Sequence, residues 1–206
     1  MKNPEQLSVK NSQLSEDFSG ETGLLTSVTS KEDSVKQQIQ LSFVMYGVKM
    51  AKEKSGAYLF LPDGEAQPVA ISKPFIHVLR GPLMSEVKVM LLNVEHVVWL
   101  QNSPGAFSIY HIHRRRTLDK LLLRANYYPM PTVVYLEDDI KCITMVTAQA
   151  PSVASLKQGQ FEIMQDQRLC QDNNRGLGQG VLDNKRTPNK FRLFIERRTG
   201  KKLLES

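Results

Sequence analysis

Residues 37–47, QQIQLSFVMYG, put Ile39, Leu41, Phe43 and Met45 on one set of alternate positions and Gln38, Gln40 and Ser42 on the other. Successive side chains of a strand point to opposite faces, so this strict period of two predicts a half-buried β-strand. The same pattern returns along the chain in PFIHVLRG (74–81), SEVKVMLLNV (85–94), EHVVWLQ (95–101) and PTVVYLED (131–138), and again in IKCITMVTA (140–148), QFEIMQ (160–165) and KFRLFIER (190–197). These runs are rich in β-branched and aromatic residues and are bounded by Gly, Pro, Asp or Asn. No helical stretch of about 10–15 residues separates them, and strands at such spacing read as an all-β antiparallel sandwich.

Between these runs the punctuation has its own chemistry. In SGAYLFLPDGEA (55–66), Ser55-Gly56 opens a turn, Ala57 to Leu61 reads as a short strand, and Pro62-Asp63-Gly64 reads as the turn that closes it. GETGLLTSV (20–28) reads as a turn entering a strand. TLDKLLLRANYYPMP (117–131) admits either a helical turn or a strand entering a bend, and QDNNRGLGQGVLDNKRTPNK (171–190) is a long loop with four Asn and three Gly. The boundaries that follow are a frayed polar N-terminus over 1–19, a β-sandwich with long loops over 20–198, and a basic tail over 199–206.

The 206 residues suffice for a sizeable core. Apolar stretches stop at about five or six residues, far short of the roughly 20 that span a bilayer, and MKNPEQLSVK has no leader-like apolar region. The net charge of +6 is local, in HRRR (113–116), NKRTPNKFR (184–192) and ERRTGKK (196–202). These runs lack the interleaved aromatics of a single-strand stacking platform and any helix-turn-helix or zinc-finger spacing. They read as solvated surface, with no nucleic-acid partner expected and no transmembrane segment.

Candidate chemistry is thin. His111 and His113 share a strand face and could reach one ion, but no third ligand is nominated nearby, so two surface histidines are the plainer reading. His77 and His96 stand alone in strands, as core or rim residues. Glu137-Asp138-Asp139 reads as a turn at a strand end, and Asp166, Asp172 and Asp183 lie in or beside the long loop without a partner base. RGLGQG (175–180) lacks the strand-then-helix setting of a dinucleotide fingerprint. Two cysteines, Cys142 and Cys170, permit one disulfide at most, and Cys142 reads as a buried thiol.

Several long colinear runs carry a resemblance. SGAYLFLPDGEA (55–66), TGLLTSV (22–28), FVMYG (43–47), RRTLDKLLLRANYYPMP (115–131) and the stretch from SLKQGQFEIMQ (155–165) to RLFIERR (192–198) resemble the β region of the Golgi class II α-mannosidases, glycoside hydrolase family 38. The resemblance implies a galactose-mutarotase-like supersandwich, incomplete at both ends, from a retaining, zinc-dependent enzyme that trims α-linked mannose from N-glycans in the Golgi. It also implies that the catalytic N-terminal domain, with the zinc ligands, lies outside this chain, which alone holds no cofactor and no catalytic residue. AFSIYHIH (106–113) departs from the family, which has extra strands there; Leu122 stands where the family prefers Pro and Gln167 where it has Arg. By position, Arg114, Arg115 and Arg116 are the candidates for a domain interface or a substrate loop, with Asp172 and Asp183 second. The alternative is a stand-alone carbohydrate-binding or scaffolding β-module.

Overall fold

The computed structural model describes residues 7–49, 55, 60–91, 94–101, 127–165, 171–172, 174, 178–180 and 188–198. Among these there are fifteen strands and no helix, all paired antiparallel where the register is given, and none of the sheets closes. The fold is all-β and sandwich-like, as the alternation predicts. Contacts divide the chain into two compact units, Met1–Tyr46 with Ala66–Ser108 and Gly47–Glu65 with Ile109–Ser206.

In the first unit, β1 (Leu7–Lys10), β2 (Leu14–Phe18), β3 (Leu25–Ser30) and β4 (Lys36–Gln38) form a four-stranded meander. A second meander follows from β7 (Phe75–Arg80), β8 (Met84–Met90) and β9 (Glu95–Gln101). Their inner faces supply the core: Val9, Phe18, Leu25 and Val28 from one sheet, Val87, Val89 and Leu100 from the other. In β8 the burial alternates strictly, with Ser85, Val87 and Val89 inside. The approach is close at Gly23, whose φ is +69° and where a Cβ would come 2.6 Å from Val89 Cγ2. A side chain there would meet both a left-handed backbone and a rigid β-branched wall, so glycine is required. Asn11 Oδ1 accepts from the backbone of Gln13 and Leu14, shaping the β1–β2 turn, while its amide donates to Gln101 O at 2.9 Å.

Strands β1 and β2 correct the expected frayed N-terminus from Leu7 onward. The segment is polar because its outward positions are polar, but Val9 and Phe18 are 2% and 0% exposed and hold it to the core. Two apolar anchors outweigh a polar average, since burial is decided residue by residue.

The alternating run at 37–47 is also divided. It ends in β4, and after 39–43 the chain starts β5 (Val44–Val48), which pairs with β6 (Pro62–Pro68) in a separate ribbon. Here the expected Pro62-Asp63-Gly64 turn is strand. Lys49 N donates to Leu61 O and Val69 N to Phe43 O, so Phe43–Lys49 is matched by Leu61–Val69, a run two residues longer. Gly64, with φ +81°, accommodates the extra length. A turn-forming glycine has become an irregularity within a strand. Residues 57–59 of the expected Ala57–Leu61 strand lie outside the described residues; Phe60 and Leu61 are not in strand.

The second unit contains two three-stranded sheets. One runs β10 (Tyr127–Pro129), β13 (Ser152–Ala154), β14 (Glu162–Met164); the other β11 (Val133–Glu137), β12 (Lys141–Thr147), β15 (Phe191–Arg197). Tyr127–Pro129 resolves the ambiguous 117–131 stretch as strand at its end; 117–126 lie outside the described residues. Leu61, Met130 and Ala154 are each 1% exposed, and Thr144 and Thr147 are buried as well. No helix among the described residues is long and apolar enough to cross a membrane.

Candidate functional site

Arg114, Arg115, Arg116 and Asp183 lie outside the described residues, as do His111, His113, Asp166 and Cys170. Asp172 is the one sequence-nominated site residue that is placed. Its Oδ2 accepts the backbone N–H of Asn174 at 3.0 Å and of Gly178 at 3.3 Å, both residues having positive φ, while Oδ1 is buried without a partner. Asp172 therefore organises its loop. The 137–139 acids behave as the sequence predicts: Asp138 Oδ1 caps the β11–β12 hairpin by accepting from Ile140 N at 2.8 Å and Lys141 N at 2.7 Å. Those two bonds hold its carboxyl below the usual range. Glu137 faces Arg198 at 3.5 Å. Cys142 is a free, half-buried thiol whose pKa is pushed up by loss of solvent, the opposite of a reactive cysteine.

A zinc ion takes three or four N, S or O ligands. Among the described residues no three His, Cys, Asp or Glu side chains come together to supply them. The donors of the described residues do not fit the metal.

Sequence reading missed the outer face of the β7–β8–β9 sheet. The register aligns Leu79, Glu86 and Trp99 in one row, His77, Lys88 and Val97 in the next, and Phe75, Met90 and Glu95 in a third. Phe75 is 68% exposed and Trp99 50%. Trp99 Nε1 donates to Glu86 Oε2 at 2.8 Å, and Lys88 pairs with Glu95 at 2.5 Å. The result is a surface that exposes two aromatic side chains with charged groups beside them, the indole being fixed by a carboxylate that keeps acceptor capacity. The signal was present at every second residue from 75 to 79 and from 95 to 99, but alternation alone does not say which set faces solvent.

The inner faces hold two isolated titratable groups. Glu16 stands opposite Val9 and Val28 in the register, is 9% exposed, and has Oε2 without a hydrogen-bond partner. Burial raises its pKa from 4.5 to about 7. On β9, His96 stands opposite Val89 and packs edge-on against Phe43, ring centroids 5.6 Å apart, with Nε2 unpartnered; burial lowers its pKa and keeps it neutral. This agrees with the expectation that His96 is a core or rim residue. Next to Glu16, Asp17 points the other way. Burial works to raise its pKa, but hydrogen bonds from Lys36 Nζ and Ser27 Oγ, each 2.8 Å, prevail and lower it.

Glu16 gives a pH prediction. A folded-state pKa above the unfolded one means the native state binds the extra proton, so this stability is fully present below pH 4.5 and is lost as pH rises through about 7. The shift corresponds to about 3 kcal/mol. Urea midpoints of the wild type should fall between pH 5 and pH 8 relative to those of Glu16→Gln, which has no charge to bury. Parallel pH profiles for the two proteins would refute the assignment.

Comparison with known proteins supplies what geometry does not. The profile of "Glycosyl hydrolases family 38 C-terminal domain" matches residues 9–109. Mouse "Alpha-mannosidase 2x" is 42% identical over 88% of this chain and 19% of its own length. Rat "Alpha-mannosidase 2" is 37% identical over 97% of this chain and 21% of its own, and the Drosophila melanogaster protein of that name 38% over 86% and 19%. The chain thus spans about a fifth of the length of these relatives.

Proposed function

The chain belongs to glycosyl hydrolase family 38, as part of its C-terminal region, and from that premise we propose that it serves an α-mannosidase trimming α-linked mannose from N-glycans in the Golgi lumen. The observation that carries this reading is identity of 37–42% to α-mannosidases 2 and 2x along most of the chain. In such an enzyme, hydrolysis with retention uses one carboxylate as nucleophile and another as acid and base, and a zinc ion, when bound, would supply Lewis-acid chemistry there. This chain's part is the sandwich that supports that machinery, and zinc is held by residues elsewhere in the enzyme. Arg114, Arg115 and Arg116 are assigned to contact with the rest of the enzyme through forked hydrogen bonds to carboxylates, and Asp172 and Asp183, as the second candidates, to a substrate loop or that same domain interface.

A second role is favoured by the outer face of β7–β9. Trp99, half exposed and held by Glu86, is suited to stack on the C–H face of a pyranose, while Glu86, Glu95 and Lys88 are suited to bond its hydroxyls.

One preparation tests both. The purified chain with added zinc is expected to release no product from an aryl α-mannoside above a blank, while mannose oligosaccharides change Trp99 fluorescence saturably. Chelator-sensitive turnover would overturn the supporting role. Fluorescence indifferent to oligosaccharide would remove the second reading and leave the first standing.

A further inference from the structure

Among the described residues of the first unit, nothing answers the charge that a buried Glu16 would carry. Its cross-strand neighbours are Val9 on β1 and Val28 on β3, and Leu14 and Phe18 stand two positions away on its own strand. Past Val28 the row continues to Gln37 on β4. On the inner face of β7–β9 the titratable group is His96, which burial keeps neutral. Arg80, at the exposed end of β7, is engaged with the backbone oxygen of Ser8. Asp17 and Lys36 pair with each other on the other face of the Glu16 sheet, and Glu86, Lys88 and Glu95 lie on the outer face of β7–β9. Glu16 Oε2 therefore has no partner, and loss of solvent is the whole cause of its raised pKa.

The strand beside it is the one most easily removed. β1 is the edge of its sheet, and among the described residues it pairs with β2 alone. Of its four residues only Val9 is buried. Its other ties are exposed side-chain bonds from Arg80 Nη2 to Ser8 O at 3.0 Å and from Asn11 Nδ2, just past its end, to Gln101 O at 2.9 Å. β2, by contrast, is paired on both sides and anchored by Phe18. Because Val9 stands directly opposite Glu16, lifting β1 wets one flank of the carboxyl while β2 and β3 stay paired. An unpaired buried carboxylate is strongly unfavourable, and a fold relieves it through the least costly opening that admits water.

We infer that β1 is a proton-gated edge strand: it stays paired with β2 while the Glu16 carboxyl is neutral and leaves the sheet when that carboxyl ionises. The closed state holds the proton more tightly than the open one. From about pH 4.5 to about 7 each pH unit therefore favours opening roughly tenfold more, and above 7, where both states are ionised, the dependence stops. Global stability can follow pH without this gate, if the unit opens only as a whole. The gate is independent of the glycosidase reading.

Hydrogen exchange of the full chain locates the opening, read amide by amide from pH 5 to pH 8 and corrected for the pH dependence of exchange in an unstructured peptide. Protection of the β1 amides bonded to β2 should fall roughly fiftyfold over that range and level off above about pH 7. The amides of Val87 and Val89, in the central strand of the other sheet, should keep theirs. Glu16→Gln and Glu16→Leu should each flatten the β1 profile to within about threefold. Leucine fills the site without a polar atom and serves if glutamine misfolds, and the comparison of β1 with β8 needs no variant. Equal loss of protection in β1 and β8, a wild-type β1 profile indifferent to pH, or the same fall in a folded variant would each overturn the gate.

Discussion

Phe18→Ala is expected to destabilise the first unit by about 3–5 kcal/mol, the range for emptying a closed aromatic site. Phe18 is fully buried at the end of β2, where the register slips between Asp17 and Phe18 so that Asp17 faces Ser27 and Phe18 faces Leu25. The slip lets Leu25 and Val28, three residues apart, share the protected side of β3, where both are buried with the ring. Thr26 Oγ1 donates to Asp17 O at 3.0 Å and pins the irregularity. Removing the ring leaves a cavity that the pinned backbone cannot collapse into, so the cost should reach the transfer term plus the cavity term. Urea denaturation measures it as a lower midpoint at unchanged slope. A loss below about 1 kcal/mol would mean that Phe18 is not enclosed as described.

Ser55→Ala should cost about 2–4 kcal/mol through a different mechanism. Ser55 is fully buried; its Oγ donates to Leu61 O and accepts from Leu61 N–H, each at 2.5 Å, and Leu61 is 1% exposed. One hydroxyl therefore closes the segment from 55 to 61. Leu61 O keeps a second donor in Lys49 N, but Leu61 N–H has no other partner among the described residues to turn to in the alanine variant. A buried donor without an acceptor loses its full desolvation free energy. Hydrogen exchange at the Leu61 amide should accelerate together with the fall in stability. Unchanged protection at Leu61 would show that the clasp is not what holds the segment. The opening residue of SGAYLFLPDGEA acts less as a turn former than as this clasp.

Much was legible before any coordinates. Glu95–Gln101 is strand to the residue, because alternating β-branched and aromatic side chains bounded by turn residues leave few other ways to satisfy backbone and burial together. The Asp138 cap was legible for a similar reason, since short acidic side chains at strand ends bond their own backbone. Gly64 was misleading, because positive φ serves a turn and a strand irregularity equally well, and the choice belongs to the partner strand. Glu16 was invisible as a buried acid, because a carboxylate reads as surface unless the facing sheet is known.

Local periodicity and long colinear motifs were enough for the β class and the family, since both are written in residue order. Which alternate set turns inward, where one strand run is divided between two pairings, and how the chain separates into two units were settled in three dimensions. A period of two says that one face must be covered and leaves the covering residues unnamed. Those residues are distant in the chain, and only closing the intervening loops brings them into contact.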